Sequence, residues 1–502
     1  MSGRVKDFFL ATSSLDRAKP IPLSLQLYEE VRNAIISGRF RAGTRLPSTR
    51  VLASDLRISR NTVVSAFEQL ASEGYVKGNV GSGTRVTDAL PDEFLWVRTQ
   101  RNGKQETRKP ARPPSRRAEN VLDLAKFYPV VKPVPFRHGL PALDEFPRKL
   151  WAEIATRRWR QLPSKALGYG ASAGYEPLRR AIASYLAVSR SVQCQPEQVV
   201  MVTGSQQALY LATQLLIDPD DPAWIEDPGY LGARSTLLAA GARLIPVPVD
   251  SEGINVSQGL RANPKPKLIY VSPSNQYPLT ITMSLARRIE LLECAHRSGA
   301  WIIEDDYDSE FRYHSRPVAA LKGLGHSSQI IYIGTFSKLL IPALRLGFVV
   351  APPSLVDAFN ALSALISRHP PYIEQVVLAD FINEGHLGRH IRRMRSLYFE
   401  RQNYFCDMAM RKLGDLIELK QAEAGTHLIG WLPRGAEDQA IARKAAEAGV
   451  ETKPLSSYYL DPPNRGGLVL GYAAFNKAET DTGMQKLASV LRAILRPSGA
   501  RS

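Results

Sequence analysis

The sequence predicts an α/β protein of two unequal folded parts: a small helical module closed by a hairpin, and a long domain built on a mostly parallel sheet with crossover helices. Three observations carry that prediction. At 502 residues the chain exceeds what one hydrophobic core usually organises. Residues 20–87 are compact and periodic, whereas residues 88–120 gather Pro91, Pro110, Pro113 and Pro114 among many charges and few large apolar residues, the composition of a linker. From residue 121 to the end, short apolar runs alternate with longer helical patterns, without an internal repeat.

Composition narrows the class. A chain that is 44% hydrophobic and 8% aromatic is an ordinary globular protein and is not disordered throughout. No apolar run approaches the ~18 residues that a membrane span needs, and the apolar stretch near the N-terminus is too short for a secretory signal. Cys194, Cys294 and Cys406 lie far apart, form neither a disulfide framework nor a metal pattern, and read as buried thiols of a cytoplasmic protein. No metal site is expected. The net charge of +17 is unevenly placed. Ten Lys/Arg face five Asp/Glu between Ala18 and Val86, and eight face one between Arg98 and Arg117. That is the footprint of a nucleic-acid module with a basic connector. The connector's charge fits either a tether kept extended by self-repulsion or added non-specific affinity for a polyanion.

Within the first module, Leu27, Val31 and Ile35 form one apolar stripe of a helix that Gly38 ends. Leu46-Pro47-Ser48-Thr49-Arg50 starts a second helix with Leu52, Ala53 and Leu56 inward. Arg57-Ile58 turns the chain into Ser59, a good N-cap, and a third helix carries Val63, Phe67 and Leu70 on one face before Gly74. Two helices joined so tightly are a helix-turn-helix, whose second helix enters the DNA major groove by its first residues, here Ser59, Arg60, Asn61 and Thr62. Arg can read guanine and Asn adenine, while hydroxyls reach phosphates or bases. Tyr75–Val86 reads as a hairpin wing with Gly78, Gly81 and Gly83 at its turn and Arg85 on it. Pattern alone leaves open a three-helix bundle with no DNA role.

In the long domain, the runs Val199–Val202, Ala223–Ile225, Leu268–Val271, Trp301–Ile303, Ile330–Ile333 and Phe348–Val350 lack polar alternation, as strands buried on both faces do. Polar groups follow each of the first five runs, and the carboxyl ends of parallel strands are where open α/β sheets place ligands. Lys338 sits just past one such run, where an amine can form a Schiff base with the aldehyde of pyridoxal phosphate. Thr335, Ser337 and Arg345 supply hydroxyls and a guanidinium suited to the phosphate. Ser205 and Gln206 open a helix whose amides and dipole form a phosphate cradle. Asp305 can ion-pair with the pyridine nitrogen, Tyr307 and Asn275 can bond the phenolic oxygen, and Tyr230 can stack on the ring. Taken singly, each has a bland reading: surface lysine, helix cap, turn residue or core aromatic. Their joint order along one α/β chain is what sets them apart.

The stretch from LYEEVRNAIISGRF to GSGTRV resembles the GntR-type winged helix, which implies that Ser48 and Arg50 touch the DNA backbone beside the recognition helix and the wing. YGASAGYEPLR, VTGSQQAL, EDPGY, SPSNQYP, IIEDDYDSEFRY, GTFSK and LRLGF resemble fold type I aminotransferases, and nearly the whole chain, apart from the linker, resembles the MocR/GabR subgroup of GntR regulators. The resemblance implies a large mixed, mostly parallel sheet with a smaller C-terminal α/β subdomain, extending over residues 121–502. It implies Lys338 as the cofactor lysine and a homodimer in which Tyr169 is lent across the interface. It also implies a partner in double-stranded DNA with two half-sites, and an effector that is a small amine, an amino acid or the cofactor itself.

Two departures stand out. Aminotransferases clamp the substrate carboxylate with an arginine, since its planar fork matches a carboxylate; GGLVLGYAAF has Val469 and Leu470 there, with Arg465 off the pattern. The loop SPSNQYPLT ends in Leu279-Thr280, where relatives usually carry a small residue and Gly. Both argue against an ordinary α-amino-acid substrate and for a domain used as a sensor. A working aminotransferase with an accessory winged helix is the alternative reading.

Overall fold

The computed structural model describes residues 20–79, 83–87, 134–313, 318–325, 327–461 and 463–495, with isolated positions between residues 15 and 124. Nearly all of the expected linker, and Gly81 of the wing turn, lie outside the described residues. The chain divides into two compact units, Met1–Arg112 and Pro113–Ser502.

The N-terminal unit holds helices α1 (Leu23–Ile36), α2 (Thr49–Leu56) and α3 (Arg60–Ser72), then a hairpin of β1 (Val76–Asn79) and β2 (Gly83–Val86). The hairpin is antiparallel, with Val76 opposite Val86. The helical stripes meet as their spacing requires: Leu27, Val31, Ile35, Leu52, Val63, Phe67 and Leu70 form one buried cluster with Tyr75, Val76 and Val86. Gly38 and Gly74, just beyond two of the helices, have φ of +74° and +81°, a region that glycine enters without a Cβ clash.

The C-terminal unit runs α4 (Arg148–Gln161), α5 (Glu176–Arg190), β3 (Val199–Val202), α6 (Ser205–Leu216), β4 (Pro222–Asp227), α7 (Leu231–Ala240), β5 (Arg243–Asp250), β6 (Gly253–Ile254), α8 (Val256–Ala262), β7 (Leu268–Val271), α9 (Leu285–Ser298), β8 (Trp301–Asp306), β9 (Ile330–Thr335) and β10 (Gly347–Val350). Three helices follow, α10 (Val356–Ser367), α11 (Tyr372–Asn383) and α12 (His386–Leu413). The chain closes with β11 (Glu418–Leu419), β12 (His427–Trp431), α13 (Asp438–Glu447), β13 (Lys453–Pro454), β14 (Gly467–Gly471) and α14 (Lys477–Leu495). Strands β3 to β10 form one sheet in the order β3-β10-β9-β8-β7-β4-β5-β6, and β11-β12-β14-β13 form a smaller antiparallel one.

Successive residues of each central strand face opposite cores, as period-2 geometry dictates. Val200, Val202, Ile225, Ile303 and Ile331 pack under α6 and α7, whereas Trp224, Ile269, Ile302 and Ile330 pack against α9. Strands β5, β4, β7, β8 and β9 are parallel neighbours in that order, but β10 is antiparallel to both β9 and β3. The run Phe348–Val350 thus departs from the parallel pattern of the other predicted strands. Its connection from β9, residues 336–346, carries only the 3-10 turn Pro342–Leu344, too little for the helical crossover that a parallel neighbour needs. Among the described residues, no helix is long and apolar enough to cross a membrane.

Candidate functional site

In the N-terminal unit, Arg57 takes φ of +53° and, with Ile58 and Ser59, turns the chain from α2 into α3. Ser59 caps α3: its Oγ accepts from the Thr62 amide at 3.1 Å and pairs with Thr62 Oγ1 at 2.8 Å. The cap satisfies one of the orphan amides of the first turn and leaves the positive end of the helix facing outward. Ser59, Arg60 and Asn61 are exposed there and Thr62 is half-buried. Ser48 caps α2 by accepting from the Val51 amide at 3.3 Å, and Arg50, two residues on, is exposed in the first turn. Arg85 on β2 is exposed and donates to the Gly43 carbonyl at 3.0 Å. Arg45, which no sequence pattern singles out, pairs its backbone with Arg85 and lies 3.0 Å from where a side chain on Gly83 would begin.

In the C-terminal unit, the strand ends converge by register. Asp305 of β8 stands opposite Ile333 of β9, Thr335 of β9 opposite Gly347 of β10, and Gly347 opposite Val202 of β3. Lys338, three residues beyond β9, donates its Nζ to the Gly139 carbonyl at 2.6 Å. Burial holds its ammonium below the ordinary lysine value, against the pull of Asp308 and Asp305. A desolvated amine of this kind is a better nucleophile because more of it is neutral. Burial pushes the Asp305 carboxyl up to about 6, and the Tyr270 hydroxyl, donating to its Oδ2 at 2.8 Å, pulls it back. Asp305 Oδ1 is buried with no partner among the described residues. A carboxylate oxygen in that state asks for a donor.

Asn275 donates to Tyr307 Oη at 3.1 Å and to both oxygens of Asp308, and its own Oδ1 is also buried without a partner among the described residues. Across the sheet, Gly204 has φ of +116° and precedes α6, and a Cβ there would lie 3.1 Å from the Arg345 guanidinium. A glycine, a helix N-terminus and an arginine thus close on one spot, the ingredients of an anion cradle. Thr335 Oγ1 accepts from the Ser337 amide at 3.2 Å. Gln206 donates to the Gly232 carbonyl at 3.2 Å and to Thr236 Oγ1 at 2.6 Å, tying α6 to α7, while Ser205 begins the first turn. Tyr230 immediately precedes α7, and its ring meets Tyr277 edge-on at 5.7 Å.

Tyr169 stands apart from this group. It is 78% exposed, lies under the Arg368 guanidinium at 4.2 Å and approaches His369. Arg465 is held by Glu418 at 2.8 Å and by the Leu432 carbonyl, while Val469 and Leu470 are fully buried on β14. Thr280 occupies the left-handed region at φ +60°, a costly position for a β-branched residue. Tyr270, His138, His427 and Tyr458 escape a sequence reading. Tyr270 sits inside an apolar strand, and the other three come from segments whose pairing only the fold creates. A buried ion pair, Arg190 to Asp306 at 2.7 Å, underlies the group, and Tyr332 donates to the same carboxylate.

Residues 139–487 match the aminotransferase class I and II family, and residues 23–86 match the gntR family of bacterial regulatory proteins. The chain is 40% identical over 97% of both chains to the probable rhizopine catabolism regulatory protein MocR of Rhizobium meliloti. It is 30% identical to the HTH-type pyridoxine biosynthesis transcriptional regulator PdxR of Corynebacterium glutamicum, over 92% of this chain and 95% of that one. Among solved structures it is similar to LysN, an α-aminoadipate aminotransferase of Thermus thermophilus crystallised with N-(5'-phosphopyridoxyl)-L-leucine. That likeness has 27% identity and a TM-score of 0.67, and covers 76% of this chain and 95% of LysN.

Proposed function

The chain belongs to the gntR family of bacterial regulatory proteins and, by its long domain, to the aminotransferase class I and II family, and from that premise we propose that this DNA-binding transcription regulator works through pyridoxal phosphate. Residues 20–87 bind an operator with two half-sites, residues 88–120 connect, and residues 121–502 hold the cofactor and sense a small amine, an amino acid or the cofactor itself. One observation carries the cofactor reading: the desolvated Lys338 amine shares a strand-end site with Asp305, whose buried Oδ1 has no donor among the described residues.

The residues present fit the group. Arg345, Ser205, Gln206, Thr335 and Ser337 surround the anion cradle, Asp305 would hold a proton on the pyridine nitrogen, Asn275 and Tyr307 would bond the phenolic oxygen, and Tyr230 would cover the ring. Bound there, the cofactor supplies an aldehyde that condenses with amines and a ring that withdraws electrons. Gly139 fixes where the Lys338 amine waits. Tyr169 belongs to the partner's site in a homodimer, in keeping with its exposure.

The test joins both halves. Purified protein should show a lysine-linked visible absorbance band that Lys338→Ala abolishes, and should retard its own upstream DNA. Absence of both the band and the shift would sink the reading. The alternative, a working aminotransferase, draws on the likeness to LysN but has no guanidinium at Val469; steady turnover of an amino donor at ordinary enzyme rates would establish it.

A further inference from the structure

A wall of four rings stands beside the Lys338 amine, and the function above does not use it. His138 immediately precedes Gly139, the residue whose carbonyl receives Lys338 Nζ. Its ring lies 6.0 Å from Tyr277, 6.2 Å from His427 and 6.5 Å from Tyr458. Tyr277 lies a further 5.4 Å from His427 and 5.3 Å from Tyr458. Val469, in the stretch where the sequence shows no carboxylate arginine, packs in a small cluster with Ile429, Leu455 and Tyr458, against which Tyr277 rests.

The wall is neutral. Burial brings His427 down to about 4 and holds His138 well below its ordinary value, with His427 and Lys338 adding to the shift. Burial also raises both tyrosines, so their hydroxyls keep their protons. Two further cations, Arg137 and Lys453, act on His138, but both are drawn to Glu451, at 3.2 and 3.6 Å. A ligand carboxylate placed against these rings would exchange water for tyrosine faces and neutral imidazoles, which is costly for an unpaired charge.

The hydrogen bonds run in one direction. Tyr277 Oη donates to Tyr458 Oη at 3.0 Å, so Tyr458 has its own proton to give, and His138 Nε2 lies 3.2 Å away to take it. A neutral imidazole that accepts at Nε2 carries its proton on Nδ1. His138 Nδ1 is buried with no partner among the described residues, which leaves one N–H donor unsatisfied beside the lysine.

We propose that His138 and Tyr458, backed by Tyr277 and His427, form a neutral hydrogen-bonding subsite in place of a carboxylate clamp, so that the effector is a primary amine bearing neutral oxygen acceptors, such as hydroxyl or ether groups, and no α-carboxylate. This rests on the reading of Lys338 as the cofactor lysine. The amine end meets Lys338's site, and a neutral oxygen satisfies the His138 donor.

Serinol (2-amino-1,3-propanediol) and L-serine differ in having a hydroxymethyl group or a carboxylate at one position, so they separate the two ligand classes. Holoprotein loaded with pyridoxal phosphate would be titrated with each and followed by its absorbance change and by retardation of its upstream DNA. Serinol should act at a concentration at least tenfold lower than L-serine. Tyr458→Phe and His138→Gln should each cut that preference at least fivefold while keeping the lysine-linked band, which reports an intact cofactor site. L-Serine acting as well as serinol, or a preference untouched in both banded variants, overturns the subsite. A wild-type protein with no lysine-linked band overturns the parent reading instead. Val469→Arg supplies the converse: in a banded variant it should move the preference toward L-serine.

Discussion

In the proposed cofactor site the Asp305 carboxylate would serve two opposed demands. Holding a proton on the pyridine nitrogen requires the ionised form, yet burial raises the carboxyl from the ordinary 3.8 to about 6. In the apoprotein the folded state therefore binds this proton more tightly than the unfolded state. Its contribution is fully present below about pH 4 and is lost as pH rises through about 6, to a total of about 3 kcal/mol. Asp305→Asn removes the titration. The variant's thermal stability relative to wild-type apoprotein should therefore rise between pH 4 and pH 8, while its cofactor affinity falls. A pH-independent difference would mean that Asp305 is not strained by burial. Arg190 has the opposite character, because its guanidinium and the Asp306 carboxylate are each 2% exposed and already paired. Arg190→Ala leaves a buried carboxylate uncompensated and should cost about 3–5 kcal/mol in a denaturant titration of the C-terminal unit.

At the scale of elements, two helix starts bear the proposed binding roles. Ser59→Ala removes the cap of α3 and should destabilise the N-terminal unit by about 1 kcal/mol in thermal melts, whether or not DNA is present. Asn61, exposed in the first turn and without a capping role, should behave differently. Asn61→Ala should leave the melting curve unchanged and weaken operator binding by about 1–3 kcal/mol, read by fluorescence anisotropy. At α6, Gly204→Ala would force φ of +116° on a residue with a Cβ and bring that atom within 3.1 Å of the Arg345 guanidinium. Cofactor affinity should fall with little change in helix content by circular dichroism. Equal affinity would show that Gly204 and Arg345 do not form the phosphate cradle.

For the whole molecule, a regulator with two DNA heads must match two half-sites, and the proposed homodimer provides them. Operator DNA truncated to one half-site should bind at least tenfold more weakly, because the second head then has no tethered target. Equal affinity for one half-site would separate DNA binding from dimerisation. Lys338→Ala addresses coupling at the same scale: effector response should disappear while basal operator affinity persists.

The two-part architecture can be read from local patterns, because helical stripes such as Leu27, Val31 and Ile35 and fully apolar strands such as Ile330–Ile333 have one favourable way to bury themselves. The candidate cofactor residues Lys338, Asp305 and Asn275 can be picked out from sequence because each lies at or just past the end of an apolar strand. Other features arise where segments far apart in the chain meet. The reversed direction of β10, the Tyr270 hydroxyl on Asp305 and the ion pair of Arg190 with Asp306 belong here. So does the meeting of His138 with His427 and Tyr458, more than 280 residues away in the chain. Periodicity encodes which face a residue turns to the core, but the partner it finds there is set by strand order and register, which no local pattern records.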